Sequence, residues 1–192
     1  MTLAAAVQSC FRNYFRFSGR ASRSEFWKFV LFFFLLNVAA LIVNSLLFGP
    51  ELIQRTVTKV ALDGSQSTEV QSMLQYNTGW IGSLIVLACF VPLLSSGWRR
   101  LHDTGAAGWW QLAPPVFFVA AIAAVVVATL GPSELWAALK ATGNVRVNLT
   151  GGMAAILLLT AIAPFILLLV RLCRRSDPHP NRYGPPPSEV TP

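Results

Sequence analysis

The chain is organised as four long apolar stretches separated by polar connections. The stretches cover about residues 29–48, 80–98, 109–130 and 153–172, and Arg171 is the one charged residue inside them. Each is close to the roughly 20 helical residues that span a bilayer. Because the bilayer core offers no water to bond the backbone, each stretch is predicted to be a helix. The pattern therefore predicts an all-α integral membrane protein with four transmembrane helices.

The composition supports a membrane protein and excludes several other classes. The chain is 54% hydrophobic and 12% charged, against about 45–50% and about 25% for a soluble domain. These values exclude a disordered chain and an ordinary soluble enzyme. The three cysteines, Cys10, Cys89 and Cys173, lack the spacing of a disulfide framework or of a metal site. We expect no metal and no cofactor.

The distribution of positive charge predicts how the helices are oriented. Eleven of the fifteen Lys and Arg residues lie in the N-terminal arm, in the loop after the second stretch and in the C-terminal tail. The positive-inside rule then places both termini in the cytoplasm. Because the charge flanks the membrane segments, the net charge of +7 favours a membrane surface as partner, and no nucleic acid is expected.

The N-terminal arm carries an amphipathic helical pattern over residues 3–17. At 100° per residue its polar face contains Gln8, Ser9, Arg12, Asn13 and Arg16. Such a helix either lies in the lipid interface or packs on the cytoplasmic end of the bundle, and both interpretations stay open. We take the interfacial helix as the working prediction.

The remaining segments predict short helices and a tail. Ser22 and Glu25 fit a capping box that opens the first membrane helix. Apolar residues at helical spacing predict short helices over residues 52–61, ended by Asp63-Gly64, and 68–76, and a further helix is predicted over residues 133–142. Residues 1–176 are expected to form one membrane domain, followed by a Pro-rich, disordered cytoplasmic tail over residues 177–192.

Three polar stretches carry a resemblance to a known family. They are FSGRASRSEFW at residues 17–27, RRLHDTG at residues 99–105 and NRYGP at residues 181–185. Together they resemble the bacterial inner-membrane family catalogued as domain of unknown function 805. The resemblance implies a small multi-pass protein of the bacterial inner membrane and brings no established activity. The motif residues that it marks are Gly19, Ser22, Glu25, Trp27, His102, Asp103, Gly105, Trp109, Asn181, Tyr183 and Gly184.

The sequence departs from the family pattern in two places. Family members usually carry a basic and a small polar residue where this chain has Ala106-Ala107. Shorter members also have a single apolar stretch between the RRLHD loop and the tail, whereas this chain has two. The side of the membrane predicted for the tail therefore depends on this chain's own charges, chiefly Arg174 and Arg175.

The RRLHDTG loop has three possible roles. In the structural one, its arginines anchor a helix end, and Asp103 with Thr104-Gly105 forms a turn or cap. In the second role, two arginine-rich loops meet in a pocket that binds an anionic lipid headgroup or an acidic segment of a partner. In the third, His102 and Asp103 act as an acid/base pair. The candidate anion-binding residues are Arg20, Arg23, Arg99 and Arg100.

Transport is a further class to weigh. Ion and proton pathways usually place ionisable groups inside the membrane, and the helix interiors here offer amides and hydroxyls such as Asn37 and Asn44. We therefore favour a non-enzymatic protein whose basic cytoplasmic face binds anionic phospholipid or a membrane-protein partner. A transporter or channel component, formed by a homo-oligomer, is the alternative, and a membrane enzyme using His102 and Asp103 is third.

Overall fold

A computed structural model describes residues 1–60, 66–131 and 150–187, together with the single positions Ser133, Trp136, Ala137 and Lys140. Its regular elements are, in chain order, helices α1 (Leu3–Arg12) and α2 (Arg23–Phe48), strands β1 (Glu51–Val60) and β2 (Gln66–Gln75), and helices α3 (Gly79–Asp103), α4 (Ala113–Leu130) and α5 (Gly151–Cys173). A 3₁₀ turn, Gly108–Leu112, leads into α4.

The structure contains the four predicted membrane helices. The helices α2, α3 and α5 and the continuous segment Gly108–Leu130 are each long and apolar enough to cross a membrane. Many of their large side chains point outward, and Leu46, Leu87 and Leu159 are 81%, 71% and 66% exposed. A soluble protein rarely exposes so much contiguous apolar surface, so these faces are suited to contact with lipid.

Two of these helices extend further than the apolar stretches. Helix α2 begins at Arg23 because the Ser22 hydroxyl accepts a hydrogen bond of 3.1 Å from the Glu25 amide and caps the helix. Helix α3 continues through the charged RRLHD sequence to Asp103, where buried ion pairs satisfy the charged side chains. Hydropathy therefore identifies only the lipid-facing part of each helix.

The connection between α2 and α3 is a β-hairpin, so the two short helices predicted there are wrong. Strands β1 and β2 pair antiparallel, from Glu51 opposite Gln75 to Val60 opposite Gln66. Residues 52–60 contain five β-branched residues, which favour strands because their side chains are stiff and fit a pleated surface. That composition outweighs the helical spacing, and the fold is mostly helical rather than all-α.

Two other sequence predictions concern residues that the structure leaves undescribed. Asp63 and Gly64, expected to end the first of the short helices, lie outside the described residues. The helix predicted over residues 133–142 also lies mostly outside them.

The amphipathic N-terminal helix is shorter than predicted and packs against α2 and α3. Its buried side chains are Ala6 and Cys10. The hydroxyl of Tyr14, just after the helix, donates a 3.1 Å hydrogen bond to the Ala88 carbonyl within α3. Pro92, four residues later in α3, has no N–H to donate to that carbonyl. Tyr14 therefore satisfies a backbone group that the proline leaves without its helical partner.

The bundle has a terminal end, where the N-terminal arm and the C-terminal segment meet, and a hairpin end, where β1 and β2 lie. At the terminal end α2 begins and α3 and α5 end: Ala21 N donates to Arg99 O at 3.1 Å, and Arg100 Nε donates to Leu172 O at 3.0 Å. A buried apolar cluster underlies this end, consisting of Phe26, Leu101, Ala106 and Leu172. At the opposite, hairpin end, α2 leads into β1, and β2 leads back into α3.

Candidate functional site

The three motif stretches of the sequence come together at the terminal end. Asp103, the last residue of α3, is the centre of this arrangement, and its side chain is fully buried. Its Oδ1 pairs with Arg20 Nη2 at 2.8 Å, and its Oδ2 pairs with Arg100 Nη1. Two cations thus share one carboxylate out of contact with solvent. Removing one partner of such a buried group is costly because an uncompensated charge remains.

Arg20 uses its remaining donors on the C-terminal segment. Its Nη1 donates to His179 O at 2.8 Å and to Gly184 O at 3.3 Å, and its Nη2 also donates to Asp177 O. Every N–H of this guanidinium is therefore engaged, since Nε donates to Asp103 at 2.9 Å. Arg20 is a structural link among three distant parts of the chain.

Arg100 is equally engaged. Beyond its pairing with Asp103, its Nη1 lies 3.3 Å from the Ser176 hydroxyl, and its Nη2 donates to Arg174 O. With Leu172 O, these groups lie at the C-terminal end of α5, where helical carbonyls lack partners within the helix. Arg100 therefore satisfies carbonyl groups at the C-terminal end of α5.

The C-terminal segment is folded against α3 over residues 177–187, which we call the strap. Asn181 Nδ2 donates to His102 O at 3.0 Å, and the Tyr183 ring stacks on the His102 ring with centroids 3.7 Å apart and planes 4° apart. Asn181 and Gly184 exchange two backbone hydrogen bonds, of 3.1 and 2.9 Å, that close a turn.

The strap corrects the expectation of a disordered tail from residue 177. The Pro-rich composition predicts disorder because it offers little apolar surface to bury. The strap is held instead by polar contacts and by one stacked ring, which hydropathy does not register. Residues 188–192 lie outside the described residues.

Arg99 differs from its neighbour because part of its guanidinium is unused. Its Nη1 donates to Glu25 Oε1 at 3.1 Å, and the same oxygen accepts from the Ser9 hydroxyl at 3.0 Å. Within the described part of the chain, Arg99 Nε and Nη2 are buried and have no hydrogen-bond partner. A buried charged donor without a partner is costly, and native structures contain few of them. These two N–H groups are therefore the donors at this site that a ligand could use.

A polar cavity of about 290 Å³ lies beside Arg99, and we call it the arginine cavity. Its wall is formed by α1 and the arm that follows, by the start of α2 and by the end of α3. The polar residues of this wall include Ser9, Asn13, Arg16, Arg20, Glu25 and Arg99. Pro187 of the strap also lines it. The volume is near the lower limit of small-ligand sites, about 300 Å³.

The predicted anion-binding residues are therefore placed unequally. Arg20 and Arg99 line the arginine cavity, whereas Arg100 is fully buried and Arg23 is exposed and is not among the lining residues. Sequence reasoning missed Arg16, which the structure adds to the cavity wall. Its position on the polar face of the amphipathic pattern was the available signal.

The other motif residues stabilise turns and packing. Gly19 adopts a φ of +88°, which favours glycine, and its carbonyl lies 3.2 Å from His102 Nδ1. Gly105 ends α3 with a φ of +74°. Trp27 packs on Phe26, and Trp109 stacks on Trp110. These residues thus lie at turns and ring contacts of the terminal end.

Cys10 lies at the edge of the same site, on the buried face of α1. Burial, together with the nearby negative charge of Glu25, raises the pKa of its thiol to about 12. The thiol is therefore protonated at neutral pH and is a poor nucleophile. Across residues 1–60, 66–131 and 150–187, no three His, Cys, Asp or Glu side chains are grouped so that they could hold a metal ion.

The family is decided by comparison with known proteins. The model of the family described as "Protein of unknown function (DUF805)" matches residues 14–185. The chain belongs to this family. The match extends from Tyr14 to Pro185 and contains Arg20, Arg99 and most of the strap, while the whole of α1 precedes it. The arginine cavity therefore combines DUF805 positions with a wall contributed by residues outside the match.

Two curated relatives support this assignment. The chain is 32% identical over 111 residues to the inner membrane protein YhaI of Escherichia coli strain K12, which covers 58% of this chain and 69% of the relative. The YhaI protein of Escherichia coli O157:H7 gives the same values. No solved structure matches the chain. The DUF805 chain described here is thus a membrane protein related to an inner membrane protein.

Proposed function

We propose that this DUF805 protein lies in the bacterial inner membrane with both termini in the cytoplasm and binds an anionic phospholipid through its headgroup phosphate. The arginine cavity is the binding site. The observation that carries the proposal is the pair of buried, unpartnered donors Nε and Nη2 of Arg99, within the described residues, beside a polar cavity. The role is non-enzymatic.

The chemistry of the free donors fits a phosphate. Nε and Nη2 project from the same edge of the planar guanidinium, and that edge forms two parallel hydrogen bonds to a phosphate or carboxylate. Glu25 occupies Nη1 on the far side and holds the plane in position. The ligand would therefore meet a preoriented fork rather than a mobile arginine.

The charges around the cavity favour an anion of low charge. Arg16 and Arg99 contribute two positive charges, and Glu25 contributes one negative charge. Arg20 and Arg100 share the single carboxylate of Asp103, so this group leaves one further positive charge beside the cavity. The surplus is about two positive charges, enough to compensate a phosphodiester headgroup, which carries one negative charge.

The surroundings of the cavity support a lipid as the source of the phosphate. The cavity adjoins the first turn of α2, the start of a membrane span. Phe15, in the arm after α1, is 77% exposed, as suits an aromatic side chain at the headgroup level. The positive charges of this end attract anionic lipid.

The engagement of His102 and Asp103 supports a non-enzymatic role. The His102 ring is stacked on Tyr183 and bonded to Gly19 O, while Asp103 pairs with two arginines. An acid/base pair needs a free site within reach of a substrate proton, and these contacts leave little room for one.

The test is native mass spectrometry of the full chain released gently from membranes, with Arg99→Gln and Arg23→Gln compared with the unaltered protein. Arg23 is the matched control, because it is an exposed arginine at the same end that does not line the cavity. We expect retained phosphatidylglycerol in the unaltered protein and in Arg23→Gln. We expect retention to fall about tenfold or more in Arg99→Gln, because two charge-assisted hydrogen bonds are lost.

Further measurements identify the bound molecule and separate loss of binding from misfolding. Arg99→Lys keeps the charge and removes the fork, so it should fold and still lose lipid. Glycerol phosphate added at competing concentration should displace little lipid; full displacement would indicate a soluble phosphate ligand. An adduct with the mass of a polypeptide would assign the cavity to a membrane partner. Equal retention in all variants would contradict the proposal.

A further inference from the structure

The arginine cavity and the strap share one residue. Arg20 lines the cavity, and its Nη1 holds the strap through His179 O and Gly184 O. Pro187, near the end of the described strap, lies in the cavity wall itself. The strap therefore engages the guanidinium of a residue that lines the proposed binding site, and its Pro187 forms part of the cavity wall.

We infer that the strap is an autoinhibitory segment of the arginine cavity, which opens when a phosphate headgroup binds. This inference rests on the proposed function and adds its regulation. With the strap docked, every N–H of Arg20 is engaged, and the cavity offers the Arg99 fork and the exposed Arg16. With the strap released, the two N–H groups of Arg20 Nη1 lose their carbonyl partners and become available to the same phosphate.

Arg20 is able to serve both states because its other edge is fixed independently. Its Nε and Nη2 both bond to Asp103 Oδ1, at 2.9 and 2.8 Å. Release of the strap therefore leaves the guanidinium anchored to Asp103, frees both N–H groups of Nη1 and frees the Nη2 hydrogen that donates to Asp177 O. The switch exchanges backbone carbonyls for a phosphate without moving α3.

The contacts that hold the strap are of a reversible kind. They are hydrogen bonds to backbone carbonyls, with one stacked ring pair, and Tyr183 is only partly buried. Segments with few buried apolar contacts open locally at low free energy. The strap also contains five prolines, which limit the freedom of the released chain and so reduce the entropy lost on redocking.

Competition of this type has a reciprocal consequence. If the strap weakens lipid binding by some factor, bound lipid weakens strap docking by the same factor. The effect of lipid on strap docking and the effect of the strap on lipid binding can both be measured on the full chain in lipid nanodiscs. Phosphatidylglycerol nanodiscs supply the anionic headgroup, and phosphatidylcholine nanodiscs are the reference.

The first measurement is hydrogen exchange at the strap. The Asp177 amide of the docked strap donates to Asp103 O of α3, and the amides of Asn181 and Gly184 bond to each other's carbonyls within the turn of the strap. We expect them to exchange about fivefold faster or more in phosphatidylglycerol than in phosphatidylcholine. Amides of the 3₁₀ turn Gly108–Leu112, at the same end, should exchange equally in both. Equal strap exchange with phosphatidylglycerol bound would overturn the inference.

The second measurement is lipid retention by strap variants. Tyr183→Ala removes the stacking on His102, and Asn181→Ala removes the bond to His102 O. Both should retain phosphatidylglycerol about fivefold more strongly than the unaltered chain. Arg175→Ala, an exposed arginine just before the strap, should not change retention.

The two proposals fail in different ways. If the unaltered chain and both strap variants retain no phosphatidylglycerol, the proposed function fails and the inference with it. If all retain it equally, the cavity binds lipid and the strap does not regulate it. Weaker retention in both variants would make the strap part of the binding site and would also overturn autoinhibition.

Discussion

The two ends of the bundle are held together by different kinds of contact. At the terminal end, charged side chains from distant segments are buried together, with Arg20, Arg100 and Asp103 at the centre. At the hairpin end, the chain forms a backbone ladder between β1 and β2, and neutral amides join it to the helices. There Asn44 Nδ2 donates to Asn77 O at 3.0 Å, and Asn77 Nδ2 donates to Glu51 at 3.2 Å.

This difference shows which end of the bundle depends on particular side chains for its stability. Backbone pairing in a hairpin is local and tolerates many sequences. A buried ion cluster requires every partner, because any one that is removed leaves a charge without compensation. The three motif stretches of the chain, at residues 17–27, 99–105 and 181–185, lie at the terminal end. We expect substitutions there to have larger effects than chemically matched substitutions at the hairpin end.

The largest expected effect is that of Asp103→Asn. The change leaves two buried arginines without their shared carboxylate, and we expect a loss of about 3–5 kcal/mol in the free energy of unfolding. Thermal unfolding of the detergent-solubilised protein measures it. Glu51→Gln, an exposed carboxylate at the hairpin end, should change stability by less than about 0.5 kcal/mol. Similar losses in both variants would remove the contrast between the ends.

An intermediate effect is expected for Asn44→Ala. Asn44 is 7% exposed and bonds to both the carbonyl and the side chain of Asn77. Its removal breaks two hydrogen bonds to partly buried oxygens of Asn77, which together cost about 1–3 kcal/mol. Asn37→Ala is the matched control, because Asn37 bonds only to Phe33 O of its own helix among the described contacts. If Asn37→Ala proved as destabilising, the link between α2 and the hairpin would not be the cause.

The smallest effect is expected within the hairpin. Ile53 lies opposite Met73 in the ladder, and both side chains are exposed. Cross-strand pairs contribute about 0.2–1 kcal/mol, so Ile53→Ala should lower stability by no more than that. Lipid retention at the terminal end should be unchanged. A fall in retention would show that the two ends are energetically coupled and would contradict their independence.

The sequence predicted the elements governed by local or one-dimensional patterns. The four spans follow from hydropathy, and the cap at Ser22 follows from the spacing to Glu25. The hairpin does not follow from periodicity, because its apolar residues also fit helical spacing, although the segment is rich in β-branched residues. A strand is stabilised by pairing with another segment, and the periodicity of one segment does not reveal its partner.

The candidate site was predicted only in part. Arg20 and Arg99 were identified and line the cavity. Which donors stay unused was not predictable, because it depends on partners far away in the chain: Arg20 is engaged by residues 177–184, and Arg99 by Glu25. The same applies to the strap, whose order comes from contacts over about 80 residues.

The contacts of Arg20 also impose an order on biosynthesis. Its acceptors include Asp103 and Gly184, which are 83 and 164 residues further along the chain. At about 5–20 residues per second, the ribosome delivers Gly184 on the order of ten seconds after Arg20. During that interval the arginine lacks its acceptors in the strap. The terminal end of the bundle can therefore close only after the C-terminal segment has been made.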